Sequence, residues 1–287
     1  MTSLTRRDFA AALAALGVSL PLRRAAAAQP ENGPASLPPE HRAEYEAYVA
    51  RMWAAFPYEH VTVPGADALA EWERLRAAGG GTPIVSGGDE GLAAIAEQFT
   101  MLDPQVAGTS AFAGQQRTPA EILKAAAALR FPGDLANWPG ASREEDLRTP
   151  LGDWPPESEA APGLTIATDL QTGQPLDRVH ILQLPAATSW EVPAWLRWGD
   201  WNACPPPEHH VAALRSWHER YGAELVAIDR DTMNLRVRRR PSNREEALAL
   251  AREQYRCCPD IVDQGVGSLS ALAAGLMAGD WWFFWWD

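Results

Sequence analysis

The spacing of apolar residues along the chain alternates between a helical and a strand period, and each change of period marks an element. Tyr45, Val49, Met52, Trp53 and Phe56 recur every three or four positions, which predicts an amphipathic helix from Glu40 onward. Residues 60–63 alternate as a short strand, and residues 66–78, with Trp72 and Leu75, read as a second helix stopped by Gly79-Gly80-Gly81. An apolar run over 83–86 predicts a buried strand, followed by Gly87-Gly88 and a helix from Asp89 to about Phe99. Strand, glycine loop and helix start are also the parts of a phosphate cradle, but Asp89 and Glu90 would repel an anion there and no lysine or G-x-G-x-x-G accompanies them. Thr118-Pro119-Ala120-Glu121 is a capping box that opens a helix to about Arg130. Residues 131–162, dense in Pro, Gly, Trp and acids, read as a surface connection.

The second half begins near Leu164. Residues 179–184 read as a strand, followed by a loop rich in tryptophan (Trp190, Trp195, Trp198 and Trp201). Residues 205–221 form a helix entered through prolines and stopped by Gly222. Strands over 224–229 and 233–239 alternate around a turn at 229–232, which makes a hairpin. Ser242-Asn243-Arg244-Glu245 reads as a second capping box, opening a helix that ends before Pro259. A helix over 269–277 and an aromatic strand over 281–286 close the pattern. Strand, helix, hairpin, helix, strand is the order of a ferredoxin-like β-α-β-β-α-β module, here with a helix added before the last strand. The expected fold class is α+β, with that module over 164–287 and a mixed α/β region over 40–150.

Composition narrows the function classes. The chain of 287 residues carries a net charge of -12, and Lys124 is its single lysine. That balance argues against a phosphate backbone as ligand, so nucleic acid is not an expected partner. The N-terminus reads Thr5-Arg6-Arg7-Asp8-Phe9, then an apolar run to Leu22, Arg23-Arg24 and four alanines. Arg6, Arg7 and Phe9 stand in the register of a twin-arginine export signal, which the segment resembles over residues 1–28. The apolar run of about 13 residues falls short of the roughly 20 needed to span a bilayer, so no stable membrane anchor is expected after cleavage. Removal of residues 1–28 takes away Arg6, Arg7, Arg23, Arg24 and Asp8, lowering the net charge from -12 by three to -15. Residues 29–39 then form a flexible lead-in. The expected location is the periplasm, cell envelope or extracellular space, and the partner a protein or cell-envelope ligand.

Four blocks carry a family resemblance: Trp201-Asn202-Ala203-Cys204-Pro205, residues 217–224 (Trp-His-Glu-Arg-Tyr-Gly-Ala-Glu), residues 258–265 from Cys258-Pro259-Asp260 onward, and the closing Phe284-Trp285-Trp286-Asp287. In this order they resemble the bacterial family called domain of unknown function 4253, over roughly residues 180–287. The resemblance leads one to expect a second glycine after Gly199, where this chain has Asp200. It implies a domain boundary and no reaction.

The candidate chemistry rests on residue types. Cys204 and Cys258 each precede a proline, and in an exported protein a bridge between them would close a loop of about 54 residues, worth on the order of 4 kcal/mol. Two buried free thiols are the alternative, with Cys257 the odd thiol in either case. A sharper reading makes Cys204 a nucleophile at a helix N-terminus, with His210 as base and Asp260 as orienting acid. His210 and His218 share a helix face and, with Cys204 or Asp260, would make a zinc set on paper, though the spacing is no ligand signature. A core histidine bonded to backbone explains His218 more simply. No motif calls for a cofactor. Arg236, Arg238 and Arg240 would line one strand face as a basic stripe for an anionic ligand, or pair with nearby glutamates. Trp201 and His218 complete the binding candidates. Trp281, Phe283 and Trp285 would face one side of the last strand and Trp282, Phe284 and Trp286 the other, which suits burial on both faces better than an exposed platform.

Overall fold

Six strands form one mixed sheet, and two of them come from the first half of the chain. The computed structural model describes residues 39–101, 117–134, 151–157 and 160–287. The expected export signal, with Arg6, Arg7 and Phe9, and all but the last residue of the lead-in lie outside the described residues. Helix α1 (Pro39–Ala55) precedes β1 (His60–Val63), α2 (Ala68–Ala78), β2 (Thr82–Val85), α3 (Asp89–Met101) and α4 (Pro119–Ala127). The second half supplies β3 (Val179–Leu184), a short α5 (Val192–Leu196) inside the tryptophan-rich loop, α6 (Pro207–Tyr221), β4 (Glu224–Ile228) and β5 (Thr232–Arg236). It ends with α7 (Arg244–Cys257), a π-helical turn (Ile261–Val266), α8 (Leu269–Ala278) and β6 (Trp281–Trp285).

The strand order is β1-β3-β2-β4-β5-β6. All neighbours are antiparallel except β2 and β4, which run parallel with Val85 opposite Ala227. The α+β class holds, but the strands do not close into a ferredoxin-like module. Both neighbours of β3 come from the first half, and β6 pairs with β5 at the far edge. The order of elements in the second half suggested a self-contained unit because sequence order shows which strands exist and not which strand is inserted between them.

Strand period 2 divides the core. Ile84, Leu182, Leu184, Leu235, Trp282 and Phe284 point to one face, against α3, α6, α7 and α8. Val85, Val179, Ile181 and Val226 point to the other, where Ala68 and Trp72 of α2 cover them. Trp72 Nε1 donates to the Pro83 carbonyl at 2.9 Å, which satisfies its polar atom inside that layer. On this face Asn234 accepts from Thr165 Oγ1 at 3.0 Å and from the Ile166 N–H at 3.1 Å, holding the 165–167 turn to β5.

Local signals explain the helix starts. Thr118 and Glu121 form the expected reciprocal box, and Pro119 begins α4. The second box shifts by one residue: Asn243 accepts from the Glu246 N–H, and Glu246 reaches back to Ser242. The hydrogen bonds from Ser242 hold the Glu246 carboxyl down to about 2. Helix α6 stops at Gly222, whose φ of 62° is the left-handed conformation that a C-terminal glycine supplies. Trp282, Phe284 and Trp286 are buried, and Trp281 packs half-buried against the α2 layer, so β6 is a core strand.

Candidate functional site

The residues singled out for thiol chemistry converge at the entrance to α6. Pro205-Pro206-Pro207 lead into the helix, and Pro207 begins it. The preceding loop turns sharply: Arg197, Asp200 and Asn202 all adopt positive φ, at 54°, 72° and 45°. Asp200 therefore sits in a left-handed conformation that favours glycine, the physical reason for expecting one there. Gly199, with φ of 115°, is required more strictly, because a Cβ on it would lie 2.2 Å from the Pro205 carbonyl oxygen. Trp201 and Cys204 close the turn with a backbone hydrogen bond of 2.7 Å.

This loop aims Cys204 Sγ at His210 Nε2, 3.3 Å away. The His210 ring also bonds the backbone of Pro205. Proline offers only a carbonyl, so one ring nitrogen donates to it and the other accepts from the thiol. Edge-on aromatic rings enclose the pair: Trp198 lies 5.0 Å and Trp286 5.2 Å from the His210 ring, and Trp201 lies 4.6 Å from Trp198. A cavity of about 10 Å³ lies beside His210 under Trp217, Phe284 and Trp286, room for roughly one water.

Burial sets the protonation states. It pushes the Cys204 thiol well up, with Cys258 beside it adding in the same direction. It lowers the His210 imidazole to about 3. The pair is a neutral thiol bonded to a neutral imidazole, the opposite of the thiolate–imidazolium pair that makes a cysteine nucleophilic.

The remaining partners do not assemble. Asp260 accepts from Gln264 Nε2 at 2.7 Å and from the Asp287 N–H at 3.0 Å, and so anchors the chain end instead of orienting His210. The three cysteines are buried free thiols, and the Cys204–Cys258 bridge is not formed: Cys258 Sγ donates to the Trp285 carbonyl at 2.9 Å. Trp286 Nε1 donates to the Cys257 carbonyl at 3.0 Å, tying β6 to the end of α7. His218 Nδ1 donates to the Ala223 carbonyl at 2.9 Å, the backbone-bonded role. Among the described residues no group of three His, Cys, Asp or Glu side chains is placed to hold a metal ion.

The arginine stripe is broken. β5 ends at Arg236, because Val237 bonds the Asp280 carbonyl and the Arg238 and Arg239 N–H groups both turn to Tyr221. Arg236 pairs with Glu73 at 2.7 Å and Arg239 with Glu246 at 3.0 Å. Arg238 and Arg240 are exposed, with no carboxylate partner among the described residues.

Two further groups escaped sequence reasoning. Asp229, in the β4–β5 turn, accepts from the Thr232 N–H at 3.1 Å and packs against Gly87 and Gly91 at the start of α3. Burial, with Asp231 adding, pushes its carboxyl up to about 7. His180, on β3, bonds Thr62 and Asp89. Neither shows in the sequence, since the partners lie about 90 or more positions away or in a turn that reads as ordinary punctuation.

The fold is thus an α+β assembly with a sealed cysteine–histidine core. Residues 180–287, from β3 to the last residue, match the family model of a domain of unknown function (DUF4253). No curated protein and no solved structure matches the chain.

Proposed function

We propose that this is an exported binding or interaction protein of the cell envelope, whose cysteine–histidine pair serves the core and whose contact surface lies beyond the end of β5. The observation that carries the reading is the contrast among neighbouring arginines. Arg236 and Arg239 are neutralised, whereas Arg238 and Arg240 are exposed without a carboxylate partner among the described residues of a chain with net charge -12. Guanidinium forks left open on an acidic protein suit an acidic protein segment or an anionic envelope ligand. Export rests on the Thr5-Arg6-Arg7-Asp8-Phe9 pattern. Among the described residues no helix is long and apolar enough to cross a membrane.

An oligoglutamate peptide at low salt is a direct probe of the surface. Its binding, read by fluorescence anisotropy, should weaken with salt and fall at least about tenfold in an Arg238→Glu/Arg240→Glu variant, roughly 1.4 kcal/mol. Unchanged affinity in that variant overturns the reading. Replacing Arg6 and Arg7 with lysine should stop translocation, and continued export removes the localisation.

A second reading, a thiol-dependent hydrolase using Cys204, His210 and Asp260, is favoured by the 3.3 Å thiol–imidazole contact. Against it stand the sealed site, the raised thiol and an Asp260 committed elsewhere.

A further inference from the structure

Away from the cysteine core, a chain of three side chains runs from solvent into the protein and out again. Thr62 on β1 and His180 on β3 are direct cross-strand partners. The Thr62 hydroxyl lies 2.9 Å from His180 Nδ1, and His180 Nε2 lies 2.6 Å from Asp89 Oδ1 in the first turn of α3. A carboxylate on one ring nitrogen fixes the tautomer: Nε2–H donates to Asp89, which leaves Nδ1 to accept from Thr62. The His180 side chain is 4% exposed and that of Asp89 65%, with Arg178 paired to the second carboxylate oxygen at 3.4 Å. The hydrogen bond from His180 holds the Asp89 carboxyl below its usual range, and the Arg178 charge acts in the same direction.

The reacting end is open. Thr62 is exposed, and β1 is the first strand of the sheet, so one of its edges is unpaired within the sheet. The backbone bond from Gln183 to Glu59 sets the ladder alternation, which turns the N–H of Thr62 away from β3, beside its own hydroxyl. A hydroxyl, an imidazole that accepts its proton, a carboxylate that fixes the imidazole and a nearby N–H with no backbone acceptor among the described residues are the parts of a nucleophilic site, recognised by geometry and not by sequence order.

We propose that Thr62 is an acyl-accepting nucleophile, with His180 as its general base and Asp89 as a positioning residue, directed at unhindered carboxylic esters. Thr62 Oγ1 bonds to the ester carbonyl carbon as its proton passes to His180 Nδ1. The bond from that carbon to the alcohol oxygen then breaks, and the alcohol leaves with the proton from His180. Water, losing its proton to His180, releases the acyl group as a carboxylic acid and restores Thr62. The surface around Thr62 is open, which selects small acyl groups with good leaving groups and disfavours substrates that need a deep pocket.

The test uses the full chain with p-nitrophenyl acetate, following p-nitrophenolate release and mapping the acetyl adduct by peptide mass spectrometry. The expected adduct is on Thr62. Thr62→Val removes it and Thr62→Ser retains it, both at a surface position where folding is checked by circular dichroism. His180→Gln slows acetylation about 10²-fold or more, the range for losing a general base. Asp89→Asn lowers kcat with KM unchanged. An adduct confined to Lys124 or the amino terminus, or a Thr62 adduct formed equally fast in His180→Gln, overturns the proposal.

Discussion

Replacing Asp229 with asparagine should make the protein more stable at neutral pH and leave it nearly unchanged in acid. The carboxyl is raised from 3.8 to about 7 by burial, with Asp231 adding. A raised carboxylic acid keeps its proton in the folded state while the unfolded chain has already released it. Folding stability from this group is therefore fully present below about pH 3.8 and is lost as pH rises through about 7. At about 1.36 kcal/mol per pKa unit, the cost above neutrality has a ceiling of about 4 kcal/mol. Asp229 keeps part of its surface in solvent, which puts the working figure nearer 2–3 kcal/mol. Asparagine retains the oxygen that accepts from the Asp231 and Thr232 N–H groups, so the substitution removes the charge and spares the turn. Urea unfolding of both proteins from about pH 4 to about pH 8 measures the effect. The stability difference should grow with pH and level off above about pH 7, and a difference that stays flat across that range refutes the reasoning. Buried His210, lowered to about 3, acts with the opposite sign: its contribution is retained above about pH 6.5 and lost as pH falls toward 3. Wild type should therefore look flatter than either group alone would make it, and Asp229→Asn should be the steeper protein on the acid side.

Cys204→Ala leaves the buried His210 nitrogen without its donor, and a loss of about 1–3 kcal/mol in urea unfolding is expected. All three thiols should resist alkylation in the native state and titrate only after denaturation without reductant. Rapid native alkylation of Cys204 would restore the nucleophile reading, and a single titratable thiol would restore the bridge. Gly199→Ala combines a clash 2.2 Å from the Pro205 carbonyl with a φ of 115°, so a loss above about 3 kcal/mol and a thermal midpoint several degrees lower are expected. Asp200→Gly, at a φ of 72° with a side chain that is not confined in this way, should be neutral or stabilising by up to about 1 kcal/mol.

Which elements were legible follows from how local their causes are. Thr118 and Pro119 announce α4, and the helix starts where they say. Gly222 announces the end of α6. The β4–β5 hairpin and the aromatic β6 show in strand periodicity, although β5 stops at Arg236, where Tyr221 takes the N–H groups that follow. The contact between Cys204 and His210 was partly legible, since both lie within one turn of the same helix start. Its chemistry was not, because the protonation states depend on Trp198 and Trp286, and Trp286 lies 76 positions beyond His210. The role of Asp260 is illegible for a similar reason: its partners, Gln264 and Asp287, are set by how β6 returns past the π-helical turn. The Thr62–His180–Asp89 chain depends on β1 joining β3, a pairing across more than a hundred residues that no periodicity encodes.

The insertion of β2 between β3 and β4 bears on how the chain reaches its native state. The family-matched segment begins at His180, yet β4 and all of β3 but Val179, which lie in it, are joined in the sheet only through β2, residues 82–85. Folding must close a loop of roughly 140 residues to seat Val85 against Ala227, an entropic cost met before that pairing returns any stability. A fragment starting at His180 would emerge with both edges of β3 and one edge of β4 raw, mostly apolar strands of the buried type in which Glu224 is the one carboxylate, of the kind that recruit one another between molecules. Such a fragment should be expressed as aggregate, and adding back a peptide spanning residues 60–101 should be what renders it soluble.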